Sequence, residues 1–187
     1  MERLKLIRTE EVPDEIFDFA RMHYERRFSG ILGVEASEAK ISLGEKGFRS
    51  GSKGRQYLAD DILREGGERA NSGIVIIITS VDIYTHGTNY IFGLATLGVG
   101  LISSARIDPK FWDFVPEIKY YAGMGEKFFL IQFGKVLLHE LGHALSLGHC
   151  QEPRCVMRYS NSPLDLYSKG EDYCAMCWDR LTKSLEK

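Results

Sequence analysis

The sequence predicts an α+β protein: a twisted mixed sheet of about five strands packed on helices, one long helix below the sheet, and a small C-terminal lobe. Three observations carry this. Ile74-Val-Ile-Ile-Ile78 is a run of five β-branched residues, the pattern of a strand buried on both faces near the middle of a sheet. Gly125 to about Ser146 carries Leu130, Phe133, Leu137, Leu141 and Ala144 at helical spacing. All four cysteines, Cys150, Cys155, Cys174 and Cys177, lie in the last 38 of 187 residues. That length suits one sizeable core and leaves little room for a second.

The other elements follow in order. Leu4 and Leu6 alternate with Lys5 and Arg8 as in a first strand. Pro13-Asp14-Glu15 starts a helix, since proline fits the first turn and carboxylates fit the positive end of the dipole. Ile16, Phe19, Ala20 and His23 then share one face, taking the helix to about Arg27. Ile31–Ile41 reads as a further strand, and Gly44–Arg55, glycine-rich and basic, as a mobile surface loop. That loop lacks the lysine-serine/threonine ending of a phosphate loop. Tyr57, Leu58 and Ile62 suggest a second helix ended by Gly66-Gly67. Tyr90–Gly100 is apolar but interrupted by Gly93, Gly98 and Gly100, which suits an edge strand. Leu101–Ile107 forms the next strand, closed by Asp108-Pro109. A last helix runs from about Asp172 and carries Cys174, Cys177 and Trp178. No repeat or linker divides the chain, so residues 1–187 read as one domain. Residues 1–149 form its upper part and residues 150–187 the lobe.

Composition removes several functions. Hydrophobic residues at 44% and charged residues at 27% are globular averages, and a net charge of −2 lacks the basic bias of a nucleic-acid binder. The longest near-apolar run, Tyr90–Ser103, is too short for a bilayer span, and the charged N-terminus lacks the apolar core of a signal peptide. A monomeric cytoplasmic protein is the expectation.

The chemistry concentrates in Val136–Cys150. His139, Glu140 and His143 form an HExxH motif. Histidines four apart on a helix stand one above the other and grip one ion, while Glu140, about 100° away, sits beside it to take a proton from water. Zinc is the metal that suits two imidazoles and an open position. His149 lies ten residues from His139, about 1000° of helical rotation, so it reaches the same ion only if the helix breaks first. Gly148, free to take positive φ, is the expected breaker. Cys150 and Cys155, then Cys174-Ala-Met-Cys177, give two short-spaced pairs separated by 18 residues. That spacing fits a closed four-thiolate structural zinc better than disulfides in a chain without an export signal. Because Cys150 follows His149 directly, closing this site fixes the third histidine.

His139-Glu140-xx-His143…His149 resembles the extended metzincin signature. The continuation Cys150…Cys155-Val156-Met157…Cys174-xx-Cys177 resembles the archaemetzincin family of metzincin zinc metalloproteases. The resemblance implies the zincin fold, a methionine turn at Met157 beneath the catalytic zinc, and an edge strand that pairs with extended substrate, here Tyr90–Gly100. It also suggests a role for Tyr159, since a tyrosine two residues past that methionine reaches the metal in some metzincins. Two departures stand out: Ser146 replaces the family glycine, and the Met157–Cys174 gap is one residue shorter.

The expected function is hydrolysis of peptide bonds by water activated through Glu140. Two zinc ions are expected, one on His139, His143 and His149 and one on Cys150, Cys155, Cys174 and Cys177. The expected partner is a peptide or protein substrate, with no nucleic acid and no membrane. Two other classes compete: a zinc-stabilised interaction module without turnover, to which Ser146 points, and a zinc hydrolase of a non-peptide amide. A Glu140→Ala control in a peptide-library assay separates the first, and small-amide substrates the second.

Overall fold

The computed structural model describes residues 2–69 and 73–186. In chain order the elements are β1 (Glu2–Thr9), α1 (Asp14–Arg27), β2 (Leu32–Ile41), β3 (Phe48–Gly51), β4 (Gly54–Leu58), α2 (Ala59–Glu68), β5 (Ile74–Thr79) and β6 (Asp82–Tyr84). Then come β7 (Gly93–Thr96), β8 (Val99–Ser103), a 3₁₀ turn at Pro109–Trp112, α3 (Pro116–Ala122), α4 (Gly125–Ala144), α5 (Pro163–Ser168) and α6 (Ala175–Leu185).

Five strands form a mixed sheet ordered β2-β1-β5-β8-β7. Its first four strands are mutually parallel, and β7 closes the edge antiparallel to β8. The β-branched run lies at the centre, wholly buried. Strand alternation divides it between two cores. Ile74, Ile76 and Ile78 face α1 and α4, meeting Phe133, Leu137 and Leu141. Val75 and Ile77 face the other way, onto Ile62 and Leu63 of α2. The first cluster continues without a break into Val156, Met157, Leu166, Tyr173, Cys177 and Leu181, so the C-terminal segment shares the main core. Among the described residues, no helix is long and apolar enough to cross a membrane.

Four expectations change. Gly44–Arg55 is not a plain loop, because β3 and β4 pair as an antiparallel hairpin and β4 joins β6 in a second sheet. Its side chains are mostly polar, so no apolar alternation marks it. Arg49 anchors it instead, stacking on Tyr84 and donating to Gln56 Oε1 and to the Thr88 and Asn89 carbonyls. Tyr57 therefore belongs to a strand, and α2 runs through Gly66-Gly67 instead of ending there. A Cβ on Gly66 would lie 2.1 Å from Ile77 Cδ1, so the glycine serves close helix–sheet packing. Tyr90–Gly100 is not one strand: it holds β7 and the turn into β8, with Gly98 at φ 78°. Finally, α6 begins at Ala175, and Cys174 sits outside it as the N-cap.

Candidate active site and metal centres

Helix α4 is buried on nearly every side from Gln132 to Gly142, not on one stripe alone, because the sheet covers one side and the C-terminal segment another. Two buried phenols grip its middle: Tyr24 donates to the Leu137 carbonyl at 2.7 Å and Tyr173 to the Leu138 carbonyl. These carbonyls also lie one and two residues before His139, so the helix is pinned where the motif begins.

The end of α4 departs from the expected geometry. Gly148 is not the breaker: among the described residues Ser146, at φ 68°, is the non-glycine with positive φ. The Ser146 amide donates to the His143 carbonyl at 2.9 Å, and the Leu147 amide to the Gly142 carbonyl at 2.8 Å. That pair of bonds is a Schellman cap, with serine in the seat that glycine usually takes. Leu147 then buries its side chain and turns its carbonyl back, accepting from His143 Nδ1 at 2.8 Å. The serine does not displace the third histidine.

His139 Nε2 and His143 Nε2 lie 3.1 Å apart, and His143 Nε2 and His149 Nε2 lie 3.2 Å apart. The ligand atoms of all three fall within 4.8 Å of one another. His139 Nδ1 faces the Val156 carbonyl at 2.9 Å, as His143 Nδ1 faces that of Leu147. Each carbonyl fixes the proton on Nδ1 and leaves Nε2 with a free lone pair, the poise of a metal-ligating histidine. Three neutral imidazoles converging on one point fit a zinc that keeps an open position. Burial pushes the His139 and His143 imidazoles below their ordinary range, further favouring the neutral form.

Glu140 is buried beside the triad. Burial pushes its carboxyl up to about 8, while the Lys169 ammonium pulls it down. A bound dication would favour the carboxylate further. Its room comes from Gly93 of β7, where a Cβ would lie 2.6 Å from the Glu140 carboxyl carbon. Thus Gly93 leaves room for the glutamate side chain.

Met157 lies under α4: a Cβ on Gly142 would come within 2.4 Å of its Sδ. Around it the chain is tied by backbone bonds from Cys150 to Met157 (3.0 Å) and from Val156 to Asp172 (2.8 Å). The thiols of Cys150, Cys155, Cys174 and Cys177 gather within 4.8 Å, none in a disulfide. Backbone amides of Glu152 and Cys174 donate to Cys150 Sγ and Cys155 Sγ at 3.5 and 3.3 Å. This donor set fits a closed thiolate site. Tyr159 is exposed, with its ring 5.0 Å from that of His149 and its hydroxyl 3.3 Å from Asn161 Oδ1.

A cleft of about 880 Å³ runs between β7 and the histidines. Tyr90, Asn161, Leu166 and Lys169 also line it, and the Tyr90 hydroxyl donates to the Asn161 carbonyl at 3.1 Å. Two buried lysines escaped the sequence reading. Lys135, one turn before His139, donates to the carbonyls of Leu166, Tyr167 and Lys169 at 3.2, 3.2 and 2.9 Å. Lys169 brings its Nζ to 3.4 Å from His139 Nδ1. A lysine inside the apolar run of α4 was a visible signal; Lys169 had none.

The family model of Peptidase family M54 matches residues 69–183. The chain belongs to Peptidase family M54. It is a zinc metallopeptidase with peptide substrates. It is 39% identical over 173 residues to the archaemetzincin of Methanocaldococcus jannaschii, covering 91% of this chain and 88% of that one. To the archaemetzincin of Pyrococcus horikoshii it is 36% identical over 170 residues, covering 86% and 84%. The crystal structure of the Methanopyrus kandleri archaemetzincin superposes with a TM-score of 0.74 at 30% identity, covering all of this chain and 96% of that one. The archaemetzincin resemblance in the motif thus extends through the whole M54 fold.

Proposed function

We propose that the protein hydrolyses peptide bonds at a zinc held by His139, His143 and His149, with a second, structural zinc on Cys150, Cys155, Cys174 and Cys177. The observation that supports it most is the triad of histidine nitrogens 3.1 and 3.2 Å apart, with Glu140 buried alongside. When bound, zinc supplies Lewis-acid polarisation of the scissile carbonyl and of the attacking water. Glu140 takes the proton of that water and returns it to the leaving amine. Its buried carboxyl, crowded between Gly93 and α4, has little freedom to leave the position where that proton appears.

The outer edge of β7 borders the cleft, and its unpaired backbone groups offer a register for an extended peptide. In this reading Tyr159, whose ring lies 5.0 Å from that of His149, donates to the oxygen that gains charge in the reaction. Free thiols in place of disulfides fit a cytoplasmic protein.

The test is metal analysis with a peptide-library assay. The wild type should hold two zincs per chain and cleave peptides. Glu140→Ala should keep both zincs and lose turnover by about 10² to 10⁴-fold. A single zinc, lost when the cysteines are replaced, would sink the catalytic assignment.

A further inference from the structure

The cleft is lined by a lysine that pulls the Glu140 carboxyl down electrostatically without lying in salt-bridge contact with it. Lys169 is 5% exposed, yet it lines the cleft beside the histidines. Its ammonium donates to the Arg158 carbonyl at 3.1 Å. The neighbouring His139 Nδ1, at 3.4 Å, carries its own hydrogen toward Val156 and cannot accept another. Among the described residues, the remaining two N–H groups have no acceptor and no carboxylate lies within ion-pairing distance. A buried cation is costly unless it is paired.

The structure also fixes Lys169 in place. The three carbonyls gripped by Lys135 include that of Lys169 itself, which sets the backbone from which the side chain enters the cleft. Val136 and Leu166 line the same cleft as Lys169. The cleft thus combines apolar lining with a buried ammonium 3.4 Å from the Nδ1 side of one triad histidine. An occupant needs a few methylenes and a terminal carboxylate.

Resting on the hydrolytic reading above, we propose that Lys169 binds the carboxylate of an acidic side chain, glutamate or aspartate, on a residue adjoining the scissile bond. The closeness to His139 confines the contact to a residue next to that bond, because a side chain further along an extended peptide cannot reach it. Val136 and Leu166 favour glutamate, whose two methylenes they cover.

The test uses zinc-loaded protein and blocked peptides, acetylated and amidated, varied at each position between Glu, Gln, Asp and Asn. Cleavage by the wild type should favour the acids over their amide isosteres by at least about tenfold at one position flanking the cut, the size expected for one charge-assisted contact. Lys169→Met should abolish that ratio, and Lys169→Arg should restore much of it, which a purely structural lysine would not require. The same peptides titrated by fluorescence anisotropy onto zinc-loaded Glu140→Ala protein, with and without Lys169→Met, report binding independently of turnover. Acid-selective binding that needs Lys169, without cleavage by the wild type, would uphold the pocket and reject the hydrolytic reading. Equal affinity for acids and amides, or a ratio unchanged in Lys169→Met, would overturn the proposal. So would selectivity only for free C-terminal acids, which would make the ligand a chain end.

Discussion

Replacing Ser146 by glycine should stabilise the protein. At φ 68° the serine occupies the left-handed region, which costs an L-residue about 1–2 kcal/mol. Glycine removes that penalty but gives the unfolded chain more freedom, returning about 0.5–1 kcal/mol. The net gain is about 0.5–1 kcal/mol, which for a chain of this size raises the unfolding midpoint by roughly 1–4 °C. Ser146→Val should move the other way and by more, since a β-branched side chain fits positive φ least well. It should also weaken zinc at the histidines in a chelator competition, because the Leu147 carbonyl that orients His143 leaves the same turn. Calorimetry of zinc-loaded protein with both variants supplies the midpoints. A lower midpoint for Ser146→Gly would refute the cap argument and assign the serine side chain a role of its own.

Three further outcomes are expected. Gly142→Ala should cost about 1–3 kcal/mol by overpacking, because its Cβ would press on Met157 Sδ at 2.4 Å and Cε at 2.9 Å; adding Met157→Val should recover part of the loss in urea titrations. Lys135→Met leaves the carbonyls of Leu166, Tyr167 and Lys169 without their donor and should cost about 2–4 kcal/mol, read from the same titrations. Cys174→Ala should release one zinc and also reduce turnover, because Cys155 adjoins the Val156 carbonyl that sets His139; full activity with one zinc missing would contradict that link.

What was legible in the sequence is what rests on periodicity and ligand spacing. Ile74–Ile78 announced the central strand because β-branching and burial on both faces leave a local pattern. HExxH and the paired cysteines announced their clusters because ligand geometry demands fixed offsets. The β3–β4 hairpin stayed hidden because Arg49 holds it through partners 7 to 40 residues away. The turn at Ser146 was misplaced onto Gly148 because intrinsic preference favours glycine, whereas the two cap bonds and the burial of Leu147 hold the serine there. Gly66 was misread as a helix end for a related reason: what crowds it is a side chain distant in sequence, Ile77.

The two carbonyls that orient the helical histidines, those of Leu147 and Val156, both belong to chain that follows the helix. A peptide copied from α4 would therefore carry the motif without its proton arrangement. Grafting the helix into another scaffold should transfer a metal-binding pair of imidazoles that change tautomer freely, and little of the reactivity. The unit to transplant is the helix with its cap and the methionine turn, roughly residues 125–158, together with the segment around Asp172 that receives the Val156 amide.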